Sequence, residues 1–137
     1  MKRTLLIGLV VLSSLSCQAP GERAAMPPML PDKVTPLPYA QLLQRSRVLV
    51  SRANDAFYVD NWAGLEEAAQ GLEQTAQYLT KAEDVPAKHK DTLKTTSADL
   101  GKLAKALREA AAARDVKKAT DVMARLQVKV REMRLAD

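Results

Sequence analysis

Cysteine, histidine, tryptophan and phenylalanine each occur once, and aromatic residues make up only 4% of the 137-residue chain. A single cysteine, Cys17, excludes an intramolecular disulfide. An unpaired thiol in an exported protein calls for a modification that accounts for it. The single histidine, His89, has no second histidine, cysteine or Asp–Glu cluster at metal-ligand spacing. Its acidic neighbour Asp91 is two positions on, and residues i and i+2 of a helix do not face each other. Phosphate loops, nucleophile elbows and paired-carboxylate motifs are absent, and Ser46, Ser51 and Ser97 have no base partner. The net charge of +5 comes from basic residues interleaved with acidic ones, so no clustered basic face for nucleic acid is visible. These gaps predict a protein that is not an enzyme, with no catalytic residue, no cofactor and no metal site.

The N-terminus is more informative. Lys2 and Arg3 precede an apolar run from Thr4 to Leu12, which is too short to cross a bilayer as a helix. Ser13-Ser14-Leu15-Ser16-Cys17 follows. Small Ser16 before the cysteine, with Ser14 and Leu15 ahead of it, resembles the lipobox of bacterial lipoproteins. The commonest pattern has Leu three residues before the cysteine, whereas Leu15 is two before it. An ordinary signal-peptidase site at Ser14 and Ser16 is the rival reading. The resemblance implies that residues 1–16 are a signal peptide and that Cys17 becomes the first residue. Its sulfur would carry a diacylglycerol, and its amine a palmitate-type chain. At about 0.8 kcal/mol per buried methylene, such an anchor is effectively permanent. Gln18, where Asp would retain the protein in the inner membrane, leans towards the outer membrane. Loss of the signal leaves 19 basic and 16 acidic residues.

Six of the seven prolines lie between Pro20 and Pro38. They withdraw backbone donors and disfavour helix before them, so residues 17–38 read as the lipidated cysteine and an extended, disordered tether. Met26, Met29 and Leu30 either pack on the folded part or stay exposed. Beyond Pro38 the apolar spacing becomes helical, as the abundance of Ala and Leu favours. Four helices are expected, at Pro38 to Val59, Trp62 to Ala82, Pro86 to Ala113 and Val116 to Leu135. Leu65, Leu72 and Leu79 recur every seven residues, as do Leu93, Leu100 and Leu107, and Ala119, Leu126 and Met133. Short connections and sustained stripes predict an all-α fold, an antiparallel up-down-up-down four-helix bundle over residues 39–135. A pair of hairpins completed by homodimerisation is the alternative.

Asp60-Asn61-Trp62, the run from Leu100 to Asp115, and the closing Val130-Arg131-Glu132-Met133-Arg134 make residues 39–135 similar to the periplasmic bundles of the cytochrome c′ and cytochrome b562 type. The resemblance implies the fold and no site. Leu126 to Val130 carries no Cys-x-x-Cys-His, the first helix has no Met, and the last has no His. This would be a haem-free relative. Glu66, Glu67 and Glu73 read as a solvated face, Met123 and Met133 as core, and Trp62 and Tyr58 as closing one end of the core.

Together these readings predict a non-enzymatic envelope lipoprotein, held on a membrane that faces the periplasm. It would bind or scaffold an unidentified envelope protein. The alternative is a bundle that holds a small apolar ligand non-covalently, in a cavity lined by Ala69, Ala76, Ala104 and Ala119. Metabolic labelling with an alkyne fatty acid is expected to tag the wild-type chain and to leave Cys17→Ala unlabelled. A tag on both proteins would remove Cys17 as the attachment point.

Overall fold

The computed structural model describes residues 25–134. The signal segment, Cys17 and Leu135 lie outside them. The described chain is all-helical, with helices α1 (Tyr39–Tyr58), α2 (Trp62–Leu79), α3 (Ala87–Lys90), α4 (Leu93–Ala113) and α5 (Val116–Glu132). One isolated bridge pairs Pro38 with Glu83, and there is no strand among the described residues.

Local chemistry fixes the helix ends. Pro38 presets the backbone before α1, and its carbonyl accepts from Gln41 and Leu42. Asp60 adopts a left-handed conformation (φ 53°), and the Asn61 side chain then caps α2 by accepting from the Gly64 amide at 3.0 Å. At the far end of α4, left-handed Arg114 stops the helix. The Asp115 carboxylate opens α5 by accepting from the Lys118 amide at 2.9 Å.

The expected third helix, Pro86 to Ala113, is broken. A single turn, α3, is followed by Asp91 and Thr92 before α4 begins. The cause is a competition for backbone and ring. The His89 amide bonds three residues back to Pro86, and the Thr92 hydroxyl donates to the His89 carbonyl. The His89 ring meanwhile stacks on Tyr39, with centroids 5.6 Å apart. The turn is thus tied to α1 through the His89 ring.

Helix α2 packs on both α1 and α4, α5 packs on α4, and a smaller contact joins α5 to α1. The seven-residue rows supply the core: Leu65, Leu72, Leu79, Leu100, Leu107 and Leu126 are all fully buried. Leu93, at the head of its row, is only half-buried, and Val116 at the start of α5 stands 56% exposed.

Residues 25–38 do not hang free. Met26, Leu30, Val34 and Leu37 pack on the core, and Met29 faces solvent. The Leu30 amide donates to Gln74 Oε1 and Gln74 Nε2 donates to the Leu30 carbonyl, both at 2.6 Å. The Tyr78 hydroxyl reaches the carbonyls of Pro31 (2.6 Å) and Lys33 (3.2 Å). The Glu83 amide donates to the Leu37 carbonyl, and the Tyr39 amide to that of Glu83. Proline-rich chain has unpaired carbonyls to offer, and α2 supplies the donors. The disordered tether expected here is therefore corrected from Ala25 onward to an extended strap against α2.

Two glycines separate close approach from mere tolerance. A Cβ at Gly71 would fall 2.8 Å from Leu49 Cδ2, and Leu49 is buried without room to swing. A Cβ at Gly101 would meet Ala76 at an ordinary 3.5 Å. Gly101→Ala is expected to stabilise the fold by about 0.5–1 kcal/mol through helix propensity. Gly71→Ala is expected to destabilise it, because overpacking of about 1–3 kcal/mol outweighs the same gain. Thermal melts of the two variants check the opposite signs.

Candidate functional site

The two flanks of α5 are the open part of the molecule. On one flank, Asp99, Lys102, Leu103 and Ala106 of α4 face Ala124, Arg125, Val128 and Lys129 of α5 across a groove of about 580 Å³. The spacing on each helix is that of one face. Small Ala106 and Ala124 leave the helices unfilled between them, and Val128 is 53% exposed on the floor. Lys129 closes one end. Its ammonium is 2.9 Å from Glu132 and 3.5 Å from Asp99. The hydrogen bond to Glu132, with the Asp99 charge adding to it, raises its pKa despite partial burial.

Beyond Lys129 lies a second hollow of about 330 Å³, which includes Tyr39, His89, Asp91, Thr96 and Met133. His89 is engaged at the end of α5. Its Nε2 lies 2.7 Å from the Arg134 carbonyl, to which the Nε2–H tautomer donates. The Tyr39 hydroxyl donates to the Met133 carbonyl at 2.8 Å. Two rings that stack on each other thus hold the carbonyls of Met133 and Arg134, just past the end of α5, where the helix supplies no partners. Asp91 lines the same hollow, with no bond to His89.

On the other flank, Arg47 of α1 comes together with Arg131 and Arg134 of the α5 end. They surround a hollow of about 320 Å³ floored by Val50 and Val130. The sequence reading, which saw no clustered basic face, missed this group. Arg47 is far from the other two in sequence, and only the α1–α5 contact joins them.

The remaining expectations fall as follows. Glu66 and Glu67 are exposed, while Glu73 accepts from Arg108 of α4 at 2.7 Å. Met123 and Met133 are buried. Trp62 packs edge-on against Phe57, with centroids 5.9 Å apart, and closes the core. Tyr58 does not join it and stands 85% exposed, because its helical position points away from Phe57. The Ser46 and Ser97 hydroxyls are spent on the carbonyls of Leu42 and Lys94, and Ser51 is exposed. Ala69, Ala76, Ala104 and Ala119 are buried in the core, and none lines the hollows described above. Among the described residues, no three of His, Cys, Asp and Glu converge as a metal-binding group. Cys17 lies outside the described residues.

A half-buried cation went unseen in the sequence. Arg45 Nε donates to Thr75 Oγ1 at 3.1 Å, and that hydroxyl donates to the Gly71 carbonyl at 2.7 Å. One guanidinium nitrogen of Arg45 is buried without a hydrogen-bond partner among the described residues. Burial lowers its pKa, and Tyr78 acts in the opposite sense.

Burial raises the Tyr39 pKa above its ordinary 10.0. The folded state therefore disfavours the phenolate, and stability present below pH 10 is lost as pH rises through the folded pKa. Tyr39→Phe is expected to cost about 0.5–1.5 kcal/mol at neutral pH by leaving the Met133 carbonyl unpaired. It should also flatten the loss of stability above pH 10. Urea melts at pH 7 and pH 10.5 check both, and an unchanged alkaline limb would refute the assignment.

No protein-family model, curated protein or solved structure matches the chain.

Proposed function

We propose that the protein is a non-enzymatic lipoprotein of the bacterial cell envelope, anchored through Cys17 to a membrane facing the periplasm, the outer membrane favoured. Its helical body is a haem-free, up-down-up-down bundle that serves as a docking module for another envelope protein. The bundle arrangement is supported by pairs that run in opposite senses. Arg45 meets Thr75 and Leu49 meets Gly71. Asp99 meets Lys129 and Glu109 meets Lys118. Tyr39 meets Met133 and Asn54 meets Gln127.

The observation that carries the docking role is the double opening along α5. Apolar floors (Leu103, Ala106 and Val128 on one side, Val50 and Val130 on the other) lie under basic rims. A partner segment that is apolar at its centre and acidic at its edges fits both the floors and the rims. Lys129 is already satisfied by Asp99 and Glu132, so the attraction falls to Lys102, Arg47, Arg131 and Arg134.

Co-purification from detergent-solubilised membranes is expected to recover one stoichiometric partner. Arg47→Glu/Arg131→Glu is expected to weaken its recovery by about tenfold, the equivalent of 1.4 kcal/mol. These exposed substitutions should leave the melting temperature unchanged. A chain that emerges alone from every extract, or a double variant that retains its partner fully, would overturn the docking role.

A further inference from the structure

The strap has a direction, and the direction assigns an end. Leu30 is bonded to Gln74, Pro31 and Lys33 to Tyr78, and Leu37 to Glu83. The strap therefore runs parallel to α2, away from the α1–α2 turn. At its start, Ala25 and Met26 share a hollow with Val59, Asn61 and Gly64 of that turn. The chain thus enters the fold beside residues 58–62.

Residues 18–24 separate Cys17 from Ala25. The eight Cα steps from Cys17 to Ala25 extend at most about 29 Å. A free tether of the 21 residues 18–38 would reach about 70 Å and leave the body unoriented. Helix α2 alone, at 18 residues, is about 27 Å long, so even fully extended chain keeps Cys17 within about one helix length of the α1–α2 turn while the strap is docked.

The turn beside that entry point is also where large apolar side chains are bare. Tyr58 is 85% and Val59 64% exposed, and half-buried Trp62 lies just beyond them. No other described aromatic residue is as exposed. Tyr and Trp favour the headgroup region, where an apolar body and a polar tip both find partners. Charge does not choose the lipid, because exposed Asp60, Glu66 and Glu67 share this end with exposed Arg114, Lys117 and Lys118 of the α4–α5 turn.

We infer that the α1–α2 turn is the membrane-facing end, with Tyr58 and Val59 seated among lipid headgroups and the strap holding them there. The inference rests on the anchor at Cys17. It leaves the α3 and α5-terminal end, with its hollows and arginines, directed away from the membrane.

Trp62 is the sole tryptophan and reports the contact directly. The full-length acylated protein would be reconstituted in phosphatidylcholine vesicles, with and without bromine near the top of the acyl chains. Trp62 emission is expected to fall by about half or more in brominated vesicles, as for an interfacial indole. In Trp62→Phe/Lys90→Trp, the indole at the opposite end is expected to escape quenching. Gln74→Ala/Tyr78→Phe, which frees the strap, should lower the quenching of Trp62 while the protein still co-sediments with vesicles. Co-sedimentation without any quenching of Trp62, or stronger quenching at position 90, would overturn the orientation alone. An acyl-free protein left in the supernatant would overturn the anchor and the orientation with it.

Discussion

Helix α2 lies between α1 and α4 and under the 25–38 strap because its sequence places a different chemistry on each side. Gly71 lets Leu49 of α1 come within contact of the α2 backbone, and Ala76 allows the same towards Gly101 of α4. Gln74 and Tyr78 take the backbone of the strap. A helix with larger residues at 68, 69, 71 and 76 would hold its neighbours farther away. The strap would then lose the groove in which it lies. Small residues bury little area each, so the fold depends on how many of them are brought close together. The intact leucine rows fill what the alanines leave.

The same arrangement explains why α5 is open. It has α4 on one side and only a modest contact with α1 on the other, and no strap covers it. Its end is packed by Val130 and Met133 and secured from outside by Tyr39 and His89 through the carbonyls of Met133 and Arg134. This leaves the α5 side chains of both flanks available. The apolar floors stay uncovered, and the basic residues that suit the C-terminal dipole become the rims of two recesses.

Periodic features of the sequence were legible, and non-local ones were not. The stripes through Leu65, Leu72 and Leu79 and through Leu100 and Leu107 announce helices because burial on one face imposes the helical repeat. Asp60-Asn61 and Asp115 likewise mark their ends through short-range capping. The kink at Asp91-Thr92 depends on Tyr39, some fifty positions away, and carries no local sign stronger than one β-branched residue. The strap was read as a tether because proline reports only the loss of local donors. That Gln74 and Tyr78 would supply them is a fact of α2 and of distance in space. The arginine group at 47, 131 and 134, and the pairing of Asp99 with Lys129, escape the sequence for the same reason.

The strap also sets how the protein carries load. It lies along α2 with its N-terminal end towards the α1–α2 turn, so a pull on the chain ahead of Ala25 acts along the strap's length. The paired bonds at Gln74 and those at Tyr78 are then strained together in shear. A pull from the other end would open them one after another, as a zipper opens. The molecule is thereby built to resist tension from its N-terminal side with contacts that are individually weak.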